Sequence, residues 1–263
     1  MTAALLDPRN GPDHDMPQSS TPPRRYVIAS VPRSGSTLLA RLLWGTEQVG
    51  RPKEYLNPMQ LRDWEVRLGG WTSRRLHGAL HGVAVGALVG RSWSQRRLMT
   101  HLDRVEARRS SGGWFGLKLH HHHFDRYGGM AGLGDWLSRV RWIRIQREDR
   151  LGQAISWTRA LQSGQWAAWQ TTRREARYSR VAIRQRLDAI ARAEDGWDVV
   201  LDALPVHTLT YEALVADPAG TVRQVLRWLE VPHAAVVQVP RPPTRRQADD
   251  VTEQWRRRWA SGA

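Results

Sequence analysis

The run YVIASVPRSGSTLLARLLW, Tyr26 to Trp44, constrains the fold more than any other stretch of the chain. Its first half is short, apolar and rich in β-branched residues. Closed by Pro32, it reads as a buried strand over 25–31. From Ser36 onward Leu38, Leu39, Leu42 and Leu43 recur at i, i+3/i+4 spacing, the pattern of a helix. Arg33, Ser34, Gly35, Ser36 and Thr37 form the joint. Gly35 lets the backbone turn tightly, the first helical N–H groups lack internal partners, and the helix dipole adds partial positive charge. A joint of this kind holds an anion. Arg33 adds a full charge, and Ser34, Ser36 and Thr37 add hydroxyl donors. Plain N-capping is the alternative, but capping does not require Arg-Ser-Gly-Ser-Thr in one run.

Further strands are expected at WFGLKLH (114–120), VRWIRIQ (140–146) and VHTLTY (206–211). Helical patterns fill most of the gaps, including REDRLGQAISWTRALQSG and ADPAGTVRQVLRWLEV. Strands alternating with helical stretches predict an α/β fold, a parallel sheet flanked by helices, because parallel neighbours need crossover connections. The section from Trp64 to Arg109 has no clear strand and reads as helices and loops inserted between the first two strands. Trp166 to Arg192 reads as one or two amphipathic helices with a solvated basic face. Residues 1–24 carry little apolar content and are expected to be a disordered tail. The remainder, 25–263, is long enough for one domain with a well-buried core.

The formal charge of +15 raises the question of a nucleic-acid partner. It comes from 38 Arg and 2 Lys spread along the chain rather than clustered, so diffuse solvated arginine and a small anionic ligand account for it better. No apolar run approaches the roughly 18 residues of a membrane span. The N-terminal stretch lacks the basic-then-apolar order of a signal peptide, and the chain has no cysteine. A soluble cytoplasmic protein without stable membrane insertion is expected.

The joint lacks both the first Gly and the Lys of a nucleotide-hydrolysing G-x-x-x-x-G-K-[ST] loop. It resembles instead the 5′-phosphosulfate loop of sulfotransferases, with Arg33 where a Lys is usual. IQREDRLGQAISWTRALQSGQW resembles the segment in which an Arg and a Ser grip the 3′-phosphate of 3′-phosphoadenosine-5′-phosphosulfate, the matching residues being Arg147 and Ser156. Their separation is nine residues, against a usual eight in cytosolic animal enzymes. LTYEALVADPAGTVRQVLRWLEV is similar to the stretch whose Tyr, here Tyr211, lies near the adenine. RRQADDVTEQWRRRW resembles the C-terminal segment of the bacterial trehalose 2-sulfotransferase family, which implies that Arg245, Arg246 and Gln247 belong to the donor site. VGRPKEYLNP is similar to a segment of the same family whose Glu is the proposed general base, here Glu54. The resemblance covers roughly residues 25–258. It implies a P-loop-like sulfotransferase fold with helical insertions, a carbohydrate or other small-metabolite acceptor, and a homodimer.

Sulfuryl transfer needs an acceptor hydroxyl in line with sulfur, charge stabilisation on the leaving group, and removal of a proton. Arg33 and the loop amides suit the leaving group, and no metal is required. Glu54 suits the base role if burial and a bound anionic donor raise its pKa. A second candidate lies in GLKLHHHHF: Lys118-Leu119-His120 fits the Lys-x-His triplet of cytosolic sulfotransferases, with His120 as base and Lys118 on the sulfuryl group. Glu54 is favoured, because GRPKEY and RRQAD both point to the bacterial subgroup. The plain alternatives are an arginine-paired Glu54 and a solvated Lys118. Along an extended strand the four consecutive histidines alternate faces and cannot converge on one metal ion. Two other functions remain open from sequence: a nucleotide-dependent small-molecule kinase, against which the missing Walker Lys argues, and a non-enzymatic Arg-rich nucleic-acid binder.

Overall fold

The computed structural model describes residues 7–68, 93–166, 174–241 and 250–262. Its strands are β1 (Arg24–Ser30), β2 (Trp114–His120), β3 (Val140–Gln146) and β4 (Val206–Thr210). They form one parallel sheet of order β2-β1-β3-β4, flanked by helices, which is the expected α/β class. Trp142 lies opposite Val206 and Gln146 opposite Thr210 in the β3–β4 register. Both faces of the sheet are covered, so strands read as continuous apolar runs: Tyr26, Val27, Ile28 and Ala29 of β1 are fully buried.

The helices follow their capping signals. They are α1 (Ser36–Gly45), α2 (Pro58–Leu68), α3 (Gln95–Arg109), α4 (His121–Arg126), α5 (Gly129–Leu133), α6 (Arg150–Ser163), α7 (Arg180–Leu201), α8 (Tyr211–Ala216), α9 (Pro218–Trp228) and α10 (Asp250–Ala260). Asp149 caps α6 by accepting the Gly152 N–H at 2.9 Å, and Gly164 ends that helix in the left-handed conformation. Pro218 stands in the first turn of α9, where its missing N–H costs nothing. Of the helical pattern expected from Trp166 to Arg192, residues 167–173 lie outside the described residues, 174–179 are not helical, and α7 begins at Arg180. No helix among the described residues is long and apolar enough to cross a membrane.

The chain groups into two compact units, residues 1–27 with 47–140 and residues 28–46 with 141–263. The segment between α1 and β3 is long enough to bury a core of its own. In the first unit Tyr55 stacks on Phe115 at 5.7 Å and meets Trp64 edge-on at 5.9 Å. In the second, α7 turns Ile183, Ile190, Trp197 and Leu201 inward, and the Trp197 indole donates to the Ser30 carbonyl at 2.9 Å. Each fully buried Leu or Ile in these cores contributes about 1.5–3 kcal/mol.

The expected tail is corrected for residues 7–15. Pro8–Asn10 and Pro12–His14 are 3-10 turns, with Asp7 and Asn10 buried at 7% and 0% exposure. Low apolar content misleads here because the segment is held by polar partners: the Asp7 N–H and the Asn10 side-chain amide both donate to Asp63, each at 2.9 Å.

Candidate active site

The second unit carries the joint after β1. Gly35 has φ +88°, and a Cβ there would stand 2.4 Å from Cδ2 of Tyr211, so both the turn and the ring packed on it demand glycine. Arg33 also adopts a left-handed backbone, φ +66°, a strained choice for a residue with a side chain. Its guanidinium helps to hold it there: Nε donates to Ser156 Oγ at 2.9 Å and a terminal nitrogen to the Trp166 carbonyl at 2.7 Å. Gln153 on α6 donates to the Pro32 carbonyl at 2.9 Å and fixes the start of the loop.

The loop has the marks of a ligand cradle. Ser34 is fully buried, and its hydroxyl has no hydrogen-bond partner among the described residues. Ser36 is buried and Thr37 exposed. Burial, followed by the neighbouring charge of Arg147, brings the Arg33 guanidinium down to about 10. It remains charged at neutral pH, and an anion between these arginines would relieve their repulsion. Arg147 lies over the Tyr211 ring at 4.9 Å and pairs with Asp149 at 3.0 Å, while its Nε is buried without a partner among the described residues. Asp149 is also paired with Arg256. The unit therefore places Arg33 and its loop neighbours Ser34 and Gly35 beside Ser156 and Tyr211, with Arg147 over the Tyr211 ring. Arg245, Arg246 and Gln247 lie outside the described residues.

Sequence reasoning missed Gln153, whose one available signal is a polar residue on the buried stripe of an apolar helix. It also missed the carboxylate of Glu212, which accepts the N–H groups of Glu148 and Asp149 at 3.1 and 3.3 Å and so braces the turn after β3.

In the first unit, the period of two along β2 puts Lys118 and His120 on one face. The GRPKEY segment runs beside that strand: Lys53 forms a parallel bridge with Leu117, and its carbonyl accepts the Lys118 N–H at 2.9 Å. The bridge delivers Glu54 to both side chains. Its Oε1 lies 2.5 Å from Lys118 Nζ and 3.2 Å from His120 Nε2, and its Oε2 accepts from the Asn57 amide at 2.7 Å. Among the described residues Glu54 is thus held by a lysine and a histidine rather than an arginine. Lys118, 5% exposed, is not a solvated amine.

Two expectations change. Burial does push the Glu54 carboxyl up, but Lys118 and then His120 more than offset it and hold the group well below the usual carboxylate range. The histidine run is not one extended strand, because β2 ends at His120 and α4 begins at His121. The His122 and His123 rings lie 4.1 Å apart, and His120 is 5.7 Å from His122. Among the described residues no group of three or more His, Cys, Asp or Glu side chains is placed to hold a metal ion.

An α/β sheet whose first strand opens through a cationic, glycine-turned loop into a helix defines an anion-handling protein of the strand–loop–helix type. The chain belongs to the Stf0 sulphotransferase family, whose model matches residues 25–261. It is 24% identical over 271 residues to a trehalose 2-sulfotransferase of Mycobacterium tuberculosis, covering 91% of this chain and 96% of the relative. The trehalose 2-sulfotransferase of Mycolicibacterium smegmatis is 26% identical over 280 residues, with 92% and 96% covered. Among solved structures, a sulfotransferase from Alicyclobacillus acidocaldarius matches with a TM-score of 0.49 at 14% identity, covering 92% of each chain. Family membership makes the protein a sulfotransferase and sets aside the kinase and the non-enzymatic readings.

Proposed function

We propose that the enzyme moves the sulfuryl group of 3′-phosphoadenosine-5′-phosphosulfate to a hydroxyl of a carbohydrate of trehalose type. The observation that carries the donor is the buried hydroxyl of Ser34, without a partner among the described residues, in a loop crowded by Arg33 and Arg147. The carbohydrate acceptor rests on family membership and on the two trehalose 2-sulfotransferases to which the chain is similar.

The donor, when bound, supplies an activated sulfuryl group on a 5′-phosphate. Arg33, the hydroxyls of Ser34, Ser36 and Thr37, and the loop amides hold that end and stabilise charge on the departing phosphate oxygen. Arg147 and Ser156 take the 3′-phosphate through charge-assisted hydrogen bonds, and Tyr211 packs beside the adenine. Arg245, Arg246 and Gln247 complete the donor grip. Glu54 and His120 act as one acid–base pair on the acceptor hydroxyl, because a carboxylate pinned by Lys118 is by itself a weak base whereas a histidine oriented by a carboxylate is a competent one. Lys118 orients Glu54 and balances its charge. The acceptor oxygen forms the new bond to sulfur as the bond from sulfur to the 5′-phosphate breaks, and the proton passes to the pair.

The absence of cysteine supports a cytoplasmic site of action, and the bacterial subgroup implies a homodimer, which sedimentation of the purified protein tests. The central experiment incubates the protein with 35S-labelled donor and a panel of disaccharides, glycolipids and nucleoside controls. Labelled trehalose or a related disaccharide is the expected product. Labelling confined to non-carbohydrate acceptors would reject the acceptor class.

A further inference from the structure

The sequence offers only two lysines, and both are buried at the edge of β2. Lys118 meets Glu54. Lys53 reaches the N-terminal turns: its Nζ donates to Asp7 at 3.0 Å and to the side-chain Oδ1 of Asn10 at 2.6 Å. Both partners belong to the turns over residues 7–14, which precede the stretch matched to the family. Those turns are tied down along their length. Arg67 donates to the Asn10 carbonyl at 2.9 Å and pairs with Asp15; Arg109 donates to the carbonyls of Gly11, at 3.0 Å, and His14; and the Met16 N–H donates to the Arg108 carbonyl at 2.9 Å.

We propose that residues 7–16 are a positioning strap for Glu54, acting through Lys53. The chain of contacts is short. The strap neutralises the buried Lys53 ammonium, Lys53 keeps its own carbonyl on the Lys118 N–H, and the next residue is Glu54, whose carboxylate rests on Lys118 and His120. An ammonium without its carboxylate does not stay buried; it swings toward water or loses its proton. Either change frees the segment 51–55 from β2, and Glu54 moves off the strand that carries its partners. Burial already brings the Lys53 ammonium down to about 8, with the Asp7 charge opposing that fall. The strap positions and does not itself react. The effect on turnover rests on the reading of Glu54 as part of the acid–base pair; the physical link from strap to strand does not.

The test uses the full chain with Asp7→Asn and Asn10→Ala, each made alone and again in a Lys53→Met background, where no buried charge needs the strap. Three quantities are read: kcat with saturating donor and acceptor, calorimetric affinity for 3′-phosphoadenosine-5′-phosphate, and hydrogen-exchange protection of the Lys118 amide. In the native background the expected result is a fall in kcat of about tenfold to a hundredfold at unchanged nucleotide affinity. Lys118 protection should fall by about tenfold or more. Both effects should disappear in the Lys53→Met background. A lowered melting temperature with kcat and Lys118 protection unchanged would overturn the strap. Lost protection with undiminished kcat would support the strap and reject the role given to Glu54.

Discussion

Glu54 Oε1 is shared between Lys118 Nζ, 2.5 Å away, and His120 Nε2, 3.2 Å away, so the two bases that the sequence offers as rivals are partners in one cluster. The cluster changes what each mutation should do.

Removing either member of the pair should cost a comparable factor. Glu54→Gln and His120→Asn are each expected to lower turnover by about a hundredfold or more, the scale of a lost general base, at near-normal affinity for 3′-phosphoadenosine-5′-phosphate. The double variant should be little worse than either single one, because the residues act as a unit. Steady-state rates at saturating donor and acceptor decide it; near-normal turnover in His120→Asn would return the base role to Glu54 alone.

Lys118 sets the ionisation of Glu54. In Lys118→Met the burial that pushes the carboxyl up loses its main opponent, and the Glu54 pKa should rise. Carbon-13 titration of the carboxyl should show it. In the native enzyme Glu54 stays ionised across the neutral range, so an acidic loss of rate that belongs to this carboxylate should emerge only in Lys118→Met.

On the donor side, 3′-phosphoadenosine-5′-phosphate should bind more tightly than adenosine 5′-phosphate by about tenfold or more, the yield of charge-assisted bonds from Arg147. Arg147→Ala should erase the difference, and equal affinities in the native protein would remove Arg147 from the 3′-phosphate site. Arg33→Ala should lower kcat more than donor affinity if Arg33 serves mainly the departing phosphate.

Gly35→Ala adds a left-handed penalty of about 1–2 kcal/mol and drives a methyl against Tyr211. It should weaken nucleotide binding in calorimetry by about tenfold or more while circular dichroism keeps the native spectrum.

Acid should destabilise the fold through buried neutral histidines. His101 donates to the Tyr55 carbonyl at 3.0 Å, and burial brings it from 6.5 down to about 4. Between those values the unfolded chain binds the proton and the folded one does not, so stability falls as pH drops from 6.5 toward 4. The full displacement corresponds to about 3 kcal/mol. Urea midpoints across that range should fall in the native protein and flatten in His101→Gln.

Sequence alone determined the local elements. WFGLKLH and VRWIRIQ are strands over the residues expected, and Arg33 to Thr37 form the turn into α1. Periods of two and of 3.6, and a glycine before a Leu-rich run, are properties of neighbouring residues, so they survive without knowledge of the fold. The tertiary structure decided what depends on groups far apart in the chain. Lys53 finds Asp7 across 46 residues and Arg33 finds Ser156 across 123, and neither pairing leaves a local trace. The same holds for the direction of the Glu54 pKa. Burial can be inferred from an apolar neighbourhood, but the opposing field comes from Lys118 and His120, which reach Glu54 only because Lys53 bridges to β2. Residues 7–15 are the clearest case: their composition forbids an apolar core, and only the fold supplies the lysine, arginines and aspartate that order them.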